Sequence, residues 1–238
     1  MSKLKDKLAL VTGGTSGYGK ATAATLAAEG ARVIIASRNE ADLKATQKEI
    51  KCADYIRLDV TQSEEWLKAK DYIFEKYGRL DILVNNAGAG LSIKDTVDQE
   101  FEMIDAIIKL NLNSVIYGSK VFGKLMKEQN EGTIINISSV CATHCWPGFN
   151  AYAAAKAGVL NFSKSLYVEL QPNNVRVTCL IPAAANTGFA KSSGITTDKL
   201  LMTAQDVADT VLFICKLPQT AVVEDITLWG IDQSVVPL

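Results

Sequence analysis

The 238-residue sequence predicts an α/β fold, one doubly wound parallel sheet of about seven strands with helices on both faces. Two observations predict it. Short apolar, β-branched runs alternate along the chain with longer segments of helical period, which is the signature of parallel strands joined by crossover helices. The first run opens onto a glycine-rich turn that feeds a helix. No repeat, low-complexity tract or linker interrupts this alternation, so residues 1–238 read as a single domain.

Residues 8–12 are the first strand. The turn after it reads Thr12-Gly13-Gly14-Thr15-Ser16-Gly17-Tyr18-Gly19, and residues 21–29 continue as a helix. Strand, glycine turn and helix present backbone N–H groups and a helix N-terminus to a phosphate. Gly13 suits the tight turn, Gly17 a close approach of pyrophosphate, and Gly19 the packing of helix on strand. A second strand, 32–36, ends in Ser37-Arg38-Asn39. A carboxylate at this point suits the ribose hydroxyls of NAD. A hydroxyl and a guanidinium suit the 2′-phosphate of NADP instead, unless Arg38 merely flanks a helix start. Residues 40–50 have helical period, 55–58 form a third strand ending in Asp59-Val60, and 63–77 form an amphipathic helix. The fourth strand, 82–84, runs into Asn85-Asn86-Ala87-Gly88, small and amide residues that let backbone approach a flat ligand. Residues 93–130 read as mostly helical, with Asn111 an anomaly inside, because its side chain competes for backbone hydrogen bonds. Strands follow at 133–137, 175–181 and 222–228, with a helix at 205–216 and a polar lid near 189–203.

Composition bounds the function. Hydrophobic residues at 48% and charged residues at 21% describe an ordinary globular chain. A net charge of −1 leaves no basic footprint for nucleic acid. Residues 1–7 lack the apolar core of a secretory leader, and no apolar run reaches membrane-spanning length, so a cytoplasmic location is expected. Cys179 and Cys215 sit in apolar runs and read as core thiols. Cys141, His144 and Cys145 could be read as a metal cluster. A closed zinc site wants four ligands, no second Cys/His cluster exists, and loop packing is the preferred reading, with no metal expected.

The stretch 138–156 carries the chemistry. A helix starting near Asn150, a good N-cap residue type, places Tyr152 and Lys156 four apart on one face. The loop before it brings Ser139 beside them. An ammonium roughly 6 Å from the phenol, at an effective dielectric of about 20, favours phenolate by about 2.8 kcal/mol. That corresponds to about two pKa units, so the lysine alone would bring the phenol to about 8. Ser139 would orient a substrate oxygen. Spacing alone is weak: Tyr72 and Lys76 repeat it in a charged helix and read as plain surface.

Together these motifs resemble the short-chain dehydrogenase/reductase family over nearly the whole chain, with its Rossmann-type fold. Thr12 to Gly19 match T-G-x-x-x-G-x-G, and Asn85 to Gly88 match N-N-A-G. The family's catalytic tetrad falls on Asn111, Ser139, Tyr152 and Lys156. The resemblance implies hydride transfer between nicotinamide and a carbonyl carbon. Tyr152 would move the proton, Lys156 would lower its pKa and hold the nicotinamide ribose, and Asn111 would hold a water. It implies cofactor contacts from Gly13, Thr15, Ser16, Gly17, Tyr18 and Gly19, from Ser37 and Arg38, and from Asn86, Ala87 and Gly88. Asp59 and Val60 match positions at adenine, and Pro182 and Thr187 match the P-G-x-x-x-T segment around nicotinamide. Two residues depart from the pattern. Ala183 replaces that segment's glycine, and Tyr18 replaces an aliphatic residue.

The expected activity is NADPH-dependent reduction of a small ketone or aldehyde, NADP(H) being preferred over NAD(H). The alternatives are an NADP-dependent dehydrogenase of a hydroxy acid or other polar alcohol, and a silent nucleotide-binding regulator on the same fold. The carboxy-terminal end resembles the subgroup of serine and 3-hydroxy acid dehydrogenases and carbonyl reductases. A homodimer or homotetramer is expected, because Val115, Ile116, Val121, Phe122, Val159, Phe162, Leu166 and Tyr167 are spread around two helices rather than along one stripe.

Overall fold

Apolar strands buried on both faces need helices above and below, and the computed structural model supplies them around one seven-stranded parallel sheet. It describes residues 4–185 and 202–233. Thr187 and most of the expected lid lie outside the described residues. The strands are β1 (Leu8–Thr12), β2 (Arg32–Ser37), β3 (Asp54–Arg57), β4 (Ile82–Asn85), β5 (Gly132–Ile137), β6 (Val175–Pro182) and β7 (Asp225–Leu228). The helices are α1 (Gly17–Ala28), α2 (Glu40–Ile50), α3 (Ser63–Tyr77), α4 (Phe101–Ile108), α5 (Ser114–Gln129), α6 (Asn150–Leu170) and α7 (Ala204–Lys216).

The strand order is β3-β2-β1-β4-β5-β6-β7. Chain direction through the sheet therefore reverses between β1 and β4, which opens a crevice at the carboxyl ends of those strands. Every fully apolar position of β1 is buried, and α1 and α7 cover one face together. Trp66 of α3 and Phe122 of α5 meet edge to face at 6.3 Å on the other face, and the Trp66 indole donates to the Val60 carbonyl at 2.9 Å.

Two expectations need correction, and a third holds with interruptions. The segment 93–130 is mostly helical, as expected, but not continuous. A 3-10 turn (Thr96–Asp98) precedes α4, and a π-helical turn (Lys109–Asn113) separates α4 from α5. The pair Tyr72 and Lys76 is not plain surface. Asp54, at the start of edge strand β3, accepts from the Tyr72 hydroxyl at 2.6 Å, the Lys76 ammonium at 2.7 Å and the Tyr77 hydroxyl at 2.9 Å. The carboxylate therefore anchors α3 to the sheet edge, and despite its burial these donors hold it below the usual carboxylate range. The apolar overflow expected on α5 and α6 is only partial. Val115, Phe122, Val159 and Leu166 are buried within the chain, and Ile116, Val121, Phe162 and Tyr167 are half-buried.

Candidate active site

Parallel register puts the carboxyl ends of all seven strands, and the loops that leave them, along one edge. The glycine turn leaves β1 at this edge. Gly13 has φ +64, which favours glycine, and a Cβ on Gly19 would lie 2.2 Å from the Gly13 carbonyl, so neither position accepts a side chain. Thr12 and Asn86 lash the turn to the loop after β4. The Thr12 hydroxyl accepts from the N–H groups of Asn86 and Ala87 at 3.0 Å each, and the Asn86 amide donates to the Thr12 carbonyl at 2.8 Å. Thr12 was not among the expected site residues. Its signal is a hydroxyl at the last position of an otherwise apolar strand.

Ser16 is the N-cap of α1 and makes no side-chain cap. The first turns of α2, α3 and α7 carry carboxylates, whereas that of α1 carries none. The positive end of α1 is thus left for an anion. Beside it, the Leu58 N–H donates to the Ser37 carbonyl at 2.9 Å and sets Asp59 next to the end of β2. Burial raises the Asp59 carboxyl, but Thr61 and then the charges of Arg38 and Lys109 outweigh it and hold the group below its usual range. Arg38 is exposed. The Ser37 hydroxyl accepts from the Asn39 N–H at 3.3 Å, and the Asn39 side chain caps α2 through Ala41 and Asp42. The Asn39 N–H is thus already engaged by Ser37.

Asn111 is fully buried in the π-helical turn. Its side chain accepts from the Ala89 N–H at 3.1 Å and donates to the carbonyls of Ala89 at 2.9 Å and Ile107 at 3.0 Å. It pins the loop after β4 from below, so the solvated face that a mid-helix asparagine suggests is not what forms. A Cβ at Gly88 would lie 2.8 Å from Asn111 Oδ1 and 3.3 Å from Lys156 Nζ, which places all three around one point.

Ser139 leaves β5 in extended backbone, and its hydroxyl accepts from the Cys141 N–H at 3.2 Å. That spends a lone pair and leaves the serine proton to donate. The Ser139 hydroxyl also bonds the Tyr152 side chain. Tyr152 is buried and meets Phe149 edge to face at 6.2 Å. Lys156 Nζ lies 5.6 Å from the Tyr152 ring centre and donates to the Ile137 carbonyl at 2.9 Å. The Ser138 hydroxyl donates to the Lys156 carbonyl at 2.8 Å, a second tie that the sequence did not single out. The N-cap of α6 is Phe149. Asn150, expected as the cap, is the first helical residue and donates to the Thr96 hydroxyl at 2.6 Å.

The expected pKa for the phenol is not found. Burial pushes Tyr152 well above its ordinary value, although the Ser139 bond pulls the other way. Burial likewise pushes Lys156 down to about 8. Both groups share one desolvated pocket, so the ammonium loses solvation along with the phenol and donates to a main-chain carbonyl, that of Ile137. The sign of the linkage is definite. Native Lys156 holds its proton less tightly than the unfolded chain does, so stability rises as pH climbs from about 8 toward the ordinary lysine value. Tyr152 works in reverse, but only above about 10, where unfolded phenols ionise. Urea titrations without added cofactor should show a gain of about 2 kcal/mol between pH 7.5 and 9.5 that is missing in Lys156→Met. An identical rise in that variant would refute the assignment.

Cys141 is half-buried, and burial raises its thiol. His144 bonds the Thr143 hydroxyl at 2.9 Å and packs against Trp146 and Trp229. Among the described residues no group of three His, Cys, Asp or Glu stands close enough to hold a metal ion. A cavity of about 20 Å³ lies beside Tyr152, with Ser92, Lys94, Thr96 and Gln99 in its wall. The Gln99 amide atoms are buried there without a hydrogen-bond partner among the described residues. Nothing in the sequence pattern marks Gln99.

A family model described as short chain dehydrogenase matches residues 7–198. The chain belongs to the short-chain dehydrogenase family. An uncharacterized oxidoreductase of Staphylococcus aureus is 34% identical over 230 residues, covering 96% of this chain and 99% of its own. A cyclopentanol dehydrogenase of a Comamonas species is 37% identical over 191 residues, covering 79% and 76%. A solved serine dehydrogenase complexed with NADP+ superposes with a TM-score of 0.92 at 27% identity, covering 97% and 98%. A 3-ketoacyl-(acyl-carrier-protein) reductase of Brucella melitensis complexed with NADH gives 0.85 at 29% identity, covering 94% and 98%. This short-chain dehydrogenase is therefore an NAD(P)-dependent enzyme acting between CH–OH and C=O. No helix among the described residues is long and apolar enough to cross a membrane.

Proposed function

We propose that the enzyme reduces a small ketone or aldehyde with NADPH, and that Tyr152 donates the proton. The cluster of half-buried Ser139 with buried Tyr152 and Lys156, on the same edge as the uncapped start of α1, carries this reading. The nicotinamide would supply the hydride to the carbonyl carbon. The protein residues manage the oxygen. Ser139, its lone pair taken by the Cys141 N–H, donates to the carbonyl oxygen and holds it against the phenol. Tyr152 transfers its proton as negative charge develops on that oxygen, and the burial that raises its pKa keeps it protonated until then. Lys156, tethered to the Ile137 carbonyl, has ammonium protons left for the ribose hydroxyls and for returning a proton to the phenolate. Asn111 fixes the loop that faces them.

The glycine turn, Asn86 to Gly88, Asp59, Val60 and Pro182 would line the dinucleotide, with Ser37 and Arg38 at its 2′-phosphate. NADP(H) is the preferred cofactor on this reading. The NADP+ in the serine dehydrogenase agrees with it, while the NADH in the Brucella reductase marks both cofactors as compatible with the fold. The serine dehydrogenase likeness also favours a second reading, an NADP-dependent dehydrogenase of a hydroxy acid. A carbonyl and alcohol panel run with both cofactors, followed by the absorbance of reduced nicotinamide, separates the two. Turnover of hydroxy acids alone would select the second, and no turnover of any substrate would leave a nucleotide-binding regulator. We also propose a homo-oligomer, in which half-buried Ile116, Val121, Phe162 and Tyr167 on α5 and α6 would be covered. A one-subunit mass by light scattering at micromolar concentration would remove that proposal.

A further inference from the structure

The two residues that depart from the family pattern touch each other. The Tyr18 hydroxyl donates to the Ala183 carbonyl at 3.1 Å, across 165 residues of sequence. Tyr18 stands in the first turn of α1, directly after the glycine turn. Ala183 is the first residue beyond β6. Strands β4 and β5 lie between β1 and β6 in the sheet, so this one bond spans the crevice where strand order reverses. The Tyr18 ring packs against the apolar cluster under α1 and also against the cluster around Cys179, Ile181 and Ala183. Ala183 is held on its other side too, because its N–H donates to the Leu228 carbonyl at 2.8 Å. Its methyl is buried.

Each departure makes sense of the other. A glycine at 183 would leave the backbone there many conformations, and alanine removes part of that freedom. A phenol at 18 then fixes the carbonyl of the stiffened residue. An aliphatic side chain at 18 offers no donor, and it would leave a carbonyl on a buried residue without this bond. Burial keeps the Tyr18 phenol far above its ordinary pKa, so it remains a donor throughout the working range and is not a second acid.

We propose that Tyr18 is a positioning residue for the nicotinamide end of the cofactor site, with its phenol setting the distance between the glycine turn and the Pro182–Ala183 wall. This rests on the cofactor reading above. The phosphate-binding half of the site lies on α1 and the nicotinamide half beside β6, so a tie between them acts on the whole dinucleotide but not on its adenine fragment.

Tyr18→Phe removes only the hydroxyl. In the protein without added cofactor, amide exchange at residues 181–185 should quicken about fivefold, the share of one neutral hydrogen bond, while β1 and β4 stay as in wild type and report an intact fold. Affinity for NADP+ should fall about fivefold, and affinity for adenosine 2′,5′-bisphosphate should not change. Unchanged exchange at 181–185 would show that the bond holds nothing. Equal weakening of both ligands would make Tyr18 a general structural residue, and undiminished NADP+ affinity would remove its positioning role. Wild type that binds neither NADP+ nor NAD+ would instead overturn the cofactor reading, whatever the exchange data show.

Discussion

Tyr152→Phe lowers turnover by about 10²- to 10⁴-fold and leaves cofactor affinity nearly unchanged, because general acid catalysis is typically worth that factor. The substitution removes one hydroxyl and little volume. The ring keeps its edge contact with Phe149, and Lys156 keeps its bond to the Ile137 carbonyl. Ser139 loses one partner but retains the Cys141 N–H. What disappears is the proton donor. Steady-state rates with saturating cofactor, alongside a direct cofactor titration, test this. A variant keeping more than about a tenth of wild-type activity would sink the assignment, since that factor could not come from this residue. Tyr72→Phe is the internal control. It has the same residue type and the same spacing to a lysine, but its hydroxyl is bonded to Asp54 at the sheet edge. It should cost about 1 kcal/mol of stability, a bond to a charged group discounted for exposure, and leave turnover alone.

Ser37→Asp reverses the cofactor preference. Wild type should favour NADPH, because Arg38 can meet a 2′-phosphate with a planar fork of donors, often bidentate. A hydrogen bond to a charged group contributes about 1.5–3 kcal/mol, roughly ten- to a hundred-fold in affinity. Two local features bear on the size of the effect. Asp59 lies near enough for the Arg38 charge to act on it, so the phosphate shares that guanidinium field with a resident carboxylate. The Ser37 hydroxyl already accepts from the Asn39 N–H and would have to turn its own proton outward. A carboxylate at 37 would repel the phosphate and accept the ribose hydroxyls instead. Comparing kcat/KM for both cofactors on wild type and variant decides the matter. Wild type favouring NADH, or a variant with the wild-type ratio, would show that this loop does not set the choice.

Much of this was legible because the signals are local. Helices α2 and α3 run over the expected residues, 40–50 and 63–77, and each strand end lies within a few residues of its apolar run. β7 deviates most, beginning at Asp225 rather than at 222. The apolar residues before it sit outside the ladder, where the Val223 carbonyl takes the Thr178 hydroxyl. The tetrad residues are brought to one edge because parallel strands end together. The rest depended on contacts that no window of sequence contains. The ties from Thr12 to Asn86, from Tyr72 to Asp54 and from Tyr18 to Ala183 join separate segments. The error over the Tyr152 phenol has a different source. Coulomb attraction across roughly 6 Å can be written down from spacing, but the desolvation that opposes it requires knowing what closes over the pair.

The π-helical turn between α4 and α5 has a consequence for insertions and deletions. Such turns carry one residue more than an α-helix of the same span needs. Deleting Leu110 would let residues 101–129 close into a single regular helix, and the backbone hydrogen bonding there would improve. A regular α-helix spends each carbonyl on the main-chain N–H four residues on, so the Ile107 carbonyl would return to that ladder. Ile107 and Asn111 could no longer share one amide, and the grip on Ala89 would go with them. A reading frame shortened by one codon here would encode a better helix and a poorer catalyst, and the lengthened version is the one this chain carries.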